Sequence, residues 1–158
     1  MNSPDDAHYR DVVGRFATGV AVVTAHTDDG PVGFTCQTFG SLSLVPTLVT
    51  FSALASGNSW PRVRDAGVVA VNVLAADQGD VARAFATTGA DKFAGVAWTR
   101  APDGSPLLKG AIAHFEGRIL GVTTHGDHDQ VVASVQFAQA NPGEPLVYYR
   151  GRYTGLSS

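Results

Sequence analysis

Gly33-Phe-Thr-Cys-Gln-Thr-Phe-Gly-Ser-Leu-Ser-Leu-Val-Pro46 is the stretch around which the rest of the chain is arranged. It opens on a glycine, carries four hydroxyls (Thr35, Thr38, Ser41 and Ser43) and has strand-like runs on both sides. Hydroxyls and the backbone N–H groups of a loop together wrap an anion without a cluster of positive charge. The stretch is therefore a candidate seat for a phosphate-bearing cofactor, with Phe34 and Phe39 beside it. The plainer alternative is a polar turn between two strands, because Ser and Thr are common in loops.

The surrounding 158 residues suit one domain with one substantial core. A hydrophobic share of 44% and a charged share of 16% describe an ordinary globular chain. With a net charge of -3 and only two lysines, Lys92 and Lys109, no basic patch forms, which argues against nucleic-acid binding. The single cysteine, Cys36, excludes an intramolecular disulfide. No basic segment followed by an apolar run marks a signal peptide at the start. No apolar stretch approaches the roughly 20 residues of a spanning helix, so no membrane role and a cytoplasmic location are expected.

Outward from the opening stretch, Asp5 and Asp6 precede Tyr9, Val12, Val13 and Phe16 at i, i+3, i+4 and i+7, predicting an amphipathic helix that ends by Gly19. Gly19 to His26 reads as a strand buried on both faces. Asp28-Asp29-Gly30 is a hairpin signal, and the strand returning from Val32 enters the hydroxyl-rich stretch. Leu48 to Ser52 is a third strand, followed by the small, polar loop 55–59. Trp60-Pro61 reads as a helix start stopped by Gly67, and Val68 to Leu74 as a strand. Asp77 is the expected cap of a helix carrying Val81, Ala82 and Phe85. Thr87 to Leu107 is expected to be irregular, and a loop that long covers something or serves function. In the strand from Ala111 to Thr124, Phe115 and Ile119 share one face while His114, Glu116 and Arg118 share a half-exposed other face. A turn follows at His125-Gly-Asp-His-Asp129, then a strand from Val131 to Phe137 and a last one from Leu146 to Tyr149. Seven strands joined mostly by turns, with two or three helices, predict a mainly β protein: an antiparallel barrel with peripheral helices.

Laid out this way, the sequence resembles the flavin reductase family, whose members are built on the FMN-binding split β-barrel. The likeness runs from Tyr9 to Gly155 as a single domain. Four segments carry it: Phe16-Ala-Thr-Gly-Val-Ala-Val-Val-Thr, the Gly33 stretch with Ser41-Leu-Ser-Leu, Gly126-Asp127-His128, and Pro145-Leu-Val-Tyr-Tyr-Arg-Gly-Arg-Tyr. It is nearest to reductase components of two-component flavin-dependent monooxygenases. Such proteins use NADH or NADPH to reduce FAD or FMN, release the flavin to a separate oxygenase, and are typically homodimers. Two departures stand out: Thr38 where the motif usually carries Ser, and Val45 where an acidic residue is common.

The resemblance implies that Thr35, Cys36, Gln37 and Thr38 line the flavin, with Ser52, Ala53, Ser56, Asn58 and Ser59 as a second contact. It implies that Lys92 offsets phosphate charge and that Phe85 and Phe93 pack near the ring, although both read equally as core. His128 is implied to meet the nicotinamide as the catalytic residue, with Tyr149, Arg150 and Gly151 on the same side. Hydride transfer between two cofactors requires no nucleophile or general base. That agrees with the absence of a Gly-x-Ser-x-Gly elbow, a Gly-x-Gly-x-x-Gly fingerprint or a P-loop. Nothing basic surrounds Cys36 to lower its pKa, so it reads as a packed wall residue. His125 and His128 with Asp127 and Asp129 are possible metal ligands, but no third His or Cys at a familiar spacing supports a metal. A flavin-binding electron carrier or sensor on the same barrel is the alternative, and it would not need His128.

Overall fold

The computed structural model describes residues 3–89 and 91–156. Its elements in order are α1 (Asp6–Val13), β1 (Thr18–Gly19), β2 (Ala21–Thr27), β3 (Gly30–Cys36), β4 (Gly40–Leu44), β5 (Thr47–Leu54), α2 (Trp60–Ala66) and β6 (Val68–Val73). Then follow α3 (Gly79–Ala86), β7 (Trp98–Arg100), β8 (Pro106–Leu108), β9 (Ala113–His125), β10 (His128–Ala140), β11 (Val147–Tyr149) and β12 (Arg152–Thr154). Seven strands form one antiparallel sheet in the order β3-β2-β6-β9-β10-β5-β4. This is the mainly β split barrel with peripheral helices that the sequence predicts. Both outermost strands come from the opening stretch, and β3 keeps one backbone edge free of strand partners.

β2 is buried on both faces as expected, because it separates two cores. Val23 and Ala25 pack inside the barrel with Phe51, Trp60, Val63 and Val131. Val20 and Val22 pack outside it with Leu74, Phe85, Leu108 and Leu146. Trp60 and Val63 come from α2, so that helix plugs the barrel interior. Pro61 stands in its first turn and Gly67 ends it at φ 75°, where a side chain would be strained.

Several expectations are corrected. α1 is capped by Asp5, which accepts from the His8 N–H at 2.8 Å, but it stops at Val13 and buries none of its apolar face. The cap of α3 is Gln78 rather than Asp77. The Gln78 side chain instead bonds the Ala75 N–H and the Lys109 carbonyl. Residues 40–44 of the hydroxyl-rich stretch are strand, paired to β5. The 87–107 segment contains the β7–β8 hairpin, which covers the face of β9 that was expected to be half-exposed. His114 and Glu116 are consequently buried. The Glu116 carboxylate accepts from the N–H groups of Asp103 and Ser105 at 2.7 and 2.9 Å. Asn72 Oδ1 accepts from the Leu108 N–H, while Asn72 Nδ2 donates to the Val22 carbonyl and to Thr24. With the amide so oriented, His114 Nδ1, 2.9 Å from Asn72 Oδ1, must carry the proton. β10 extends beyond its expected bounds at both ends, β9 starts two residues later than expected and ends one later, and the two meet at a two-residue turn, Gly126-Asp127, with His125 opposite His128. Only Gly126 takes a positive φ, 59°, as a type II′ hairpin requires.

Candidate active site

A cavity of about 700 Å³ lies along the free edge of β3. One wall is Pro31 to Thr38, and a second is Ser52, Ala53 and the loop carrying Gly57, Asn58 and Ser59. Phe85, Lys92 and Phe93 close a third side, and His128 reaches in from the β9–β10 hairpin. Of the residues implied by resemblance, Thr35, Cys36, Gln37, Thr38, Ser52, Ala53, Asn58, Ser59, Phe85, Lys92, Phe93 and His128 thus share one space. Ser56 points to solvent and does not line it. Tyr149, Arg150 and Gly151 do not line it either. They form the tight β11–β12 hairpin, with positive φ at Arg150 and Gly151, which docks on α1 through the Arg150 N–H to the Gly14 carbonyl.

The two threonine hydroxyls are bonded to backbone groups of the protein itself. Thr35 donates to the Ala82 carbonyl at 2.6 Å, tying β3 to α3. Thr38 accepts from the Ser52 N–H at 2.8 Å and donates to the Ser52 carbonyl at 3.2 Å. That pair of bonds bridges the split between the end of β3 and β5. Cys36 is buried and lies 3.1 Å from the Thr38 hydroxyl, and burial pushes its thiol up, away from thiolate character. Lys92 Nζ places its three protons on the Gly33 carbonyl, the Phe85 carbonyl and Ser59 Oγ, at 3.0 to 3.3 Å. Its pKa is lowered by burial. Lys92 is therefore first a tether between three segments, and its charge reaches the cavity from behind them.

Trp60 and Arg62, which the sequence offers no site role, also line the cavity, and Asp129, weighed there only as a metal ligand, stands behind it. Trp60 is buried at the cavity floor, edge-on to Phe34 and Phe51 with ring centroids 6.3 and 6.0 Å away. Arg62 lines the cavity, is exposed, and forms no ion pair among the described residues. Asp129 is buried behind His128 and accepts from the Trp60 indole N–H. Trp60-Pro61-Arg62 reads in sequence only as a helix start, and its one signal of function is an arginine two positions after an aromatic. The His128 ring is half exposed, and its Nδ1 sits 2.8 Å from Asp127 Oδ1. This bond, with the charge interaction beside it, holds the Asp127 carboxyl below its usual range.

An aromatic floor, a strand edge without a strand partner among the described residues, amide and hydroxyl side chains and two cations suit a flat ring with an anionic tail. The family model "Flavin reductase like domain" matches residues 13–157. The chain belongs to the flavin reductase family. Within that family it is 40% identical over 153 residues to the reductase subunit HsaB of a flavin-dependent monooxygenase from Rhodococcus jostii, covering 96% of this chain and 78% of that one. The crystal structure of a nitrilotriacetate monooxygenase component B homologue from Mycobacterium thermoresistibile superposes with a TM-score of 0.93 at 38% identity, covering 97% of this chain and 87% of that one. The NADH:FAD oxidoreductase SgcE6 of Streptomyces globisporus, solved with NAD and FAD fragments, gives 0.92 at 34% identity, covering 99% and 96%. This flavin reductase is thus an NAD(P)H:flavin oxidoreductase on a split barrel. No helix among the described residues is long and apolar enough to cross a membrane.

Proposed function

We propose that the reductase holds FMN or FAD in the β3-edge cavity, receives NADH or NADPH on the His128 side, and hands reduced flavin to a separate flavin-dependent monooxygenase in the cytoplasm, where reduced nicotinamide is held. The observation that carries this reading is the convergence of Gln37, Ser52, Asn58, Ser59, Arg62 and His128 on one cavity over an aromatic floor. Flavin supplies the hydride-accepting chemistry, so the chain has only to hold two rings at contact distance and exclude water. Ser59 Oγ accepts from Lys92, which leaves its own proton for a ligand oxygen. Arg62 and Lys92 offset anionic charge. His128 is oriented through Nδ1 by Asp127, which leaves Nε2 for the nicotinamide carboxamide. No ligand role is proposed for Ser56, nor for Tyr149, Arg150 and Gly151 within one chain.

The working unit is a homodimer in this reading. Supporting it, α1 leaves Tyr9 57% and Val12 54% exposed, Phe16 just after it is 77% exposed, and the β4–β5 turn leaves Leu44 82% and Val45 92% exposed. Apolar surface of this kind on a globular chain marks an association site. Sedimentation across a dilution series should find twice the chain mass, and a monomer at micromolar concentration would remove the dimer.

The test of the site is steady-state NADH oxidation with FMN and FAD. His128→Ala should raise the KM for NADH roughly fivefold to tenfold, the effect of one lost hydrogen bond, and that for flavin by less than about twofold. Equal rises in both would overturn the division of the cavity.

A further inference from the structure

The β10 strand carries two functional-looking side chains in succession, and consecutive strand residues point to opposite faces. His128 lines the cavity, while Asp129, 5% exposed, turns inward. Asp129 Oδ2 accepts from Trp60 Nε1 at 2.7 Å, and Oδ1 accepts from Thr124 Oγ1 across the hairpin at 2.7 Å. Both carboxylate oxygens are thereby satisfied by short bonds to different elements. Trp60 begins the helix that follows the Gly57–Ser59 wall, and Thr124 lies on the β9 arm of the hairpin that presents His128. The same corner is fastened at backbone level, where Asp129 pairs with Ala53 and the Ala55 N–H donates to the Asp127 carbonyl at 2.9 Å.

We propose that Asp129 is a positioning residue for hydride transfer: acting through Trp60, it holds the flavin-side wall and the His128 hairpin in one register. The assignment rests on the site reading given above. A charged group inside a barrel is costly unless both of its oxygens find donors, and here its donors are the floor of the cavity and the arm beside the incoming nicotinamide. Loosening that link leaves each binding surface intact and changes the distance between them. Hydride transfer is far more sensitive to such a displacement than binding is, since a misplacement of about 1 Å costs on the order of a hundredfold in rate.

The experiment is single-turnover flavin reduction by saturating NADH, with flavin affinity and thermal melting measured on the same samples. Asp129→Leu removes both acceptors while keeping the branched shape. It should slow hydride transfer by at least about tenfold while the flavin Kd and the KM for NADH stay within about threefold. Asp129→Asn keeps one acceptor for the indole and offers an amide to Thr124, and it should restore most of that rate. Asp129→Leu combined with Trp60→Phe should be no slower than Trp60→Phe alone. A wild-type hydride rate in Asp129→Leu overturns the proposal. So does a loss of rate that merely tracks loss of flavin affinity and melting temperature, and so does a double variant slowed beyond Trp60→Phe. If Asp129→Leu does not fold, Trp60→Phe decides alone: it keeps a smaller aromatic ring without the N–H, a selective loss of rate with flavin affinity kept supports the link, and an unchanged rate overturns it. An NADH KM untouched by His128→Ala would sink the site reading instead, whatever Asp129 does.

Discussion

Thr35, Thr38 and Lys92 show how a group that lines a cavity can have its polar atoms committed elsewhere. The Thr35 hydroxyl serves the attachment of α3, so Thr35→Val should lower stability by about 1 kcal/mol, one partly buried hydrogen bond, and change flavin affinity by less than about twofold. Urea midpoints and flavin titrations on the same preparation separate the two effects. Arg62 is the converse case, an exposed guanidinium without an acidic partner among the described residues. Arg62→Ala should weaken flavin binding by about 1 kcal/mol, roughly fivefold, and the loss should shrink as salt screens it. A loss independent of ionic strength would argue that Arg62 acts by packing. In the sequence these two positions look reversed. Hydroxyls beside a strand signal an anion seat, and an arginine after Trp-Pro is a far weaker signal, because the direction of a side chain is set by the barrel around it.

The β9–β10 hairpin is the element that brings His128 to the cavity and Asp129 behind it, and its bulges are what curve it. At Gly117 a Cβ would overlap the Ser134 carbonyl across the ladder, where no side chain can move aside. Gly117→Ala should therefore destabilise the protein by at least about 2 kcal/mol, read as a fall in the urea midpoint. Neutrality would show that the strand pair can slip. The long strands, the Gly126-Asp127 turn, α2 and both faces of β2 were legible because each has its own local signal: alternation, a turn glycine, a proline, a β-branched run. β4 and the β7–β8 hairpin were not. Their residues pair with partners supplied by other parts of the chain, and so their local pattern is poor. For the same reason, the polar face of β9 read as half-exposed until the hairpin that buries His114 and Glu116 was in place.

For the molecule as a whole, the buried network around Asn72 predicts a particular response to acid. Burial lowers the pKa of His114 below its ordinary value of 6.5, so the unfolded chain takes up the proton first. Stability should be level above about pH 6.5, fall as pH drops through that value, and level off again below the folded pKa. Asp129, held low chiefly by the Trp60 bond and next by Thr124, and Asp127, held low by His128, contribute stability that is present above 3.8 and lost only below it. Urea midpoints between pH 7.5 and 5 should decline in the native protein and hold steady in His114→Gln, which keeps a donor for Asn72. An equal decline in both would assign the acid response elsewhere. The split-barrel topology and most of the cavity wall could be read from the chain. The proposed association of copies draws on exposed surfaces, and the helix pattern expected of α1 could not show that its apolar face would be left uncovered.

The ammonium fastened to Gly33, Phe85 and Ser59 has a practical side. The chain has only two lysines, and the other, Lys109, stands in the open. Besides the α-amine, amine-directed dyes should label Lys109 ahead of Lys92, whose nitrogen is half-buried and held by three acceptors. Forcing acylation at Lys92 would break its bonds to the Gly33 and Phe85 carbonyls and to Ser59, turning a reagent bottle into a probe of how those three segments are held together.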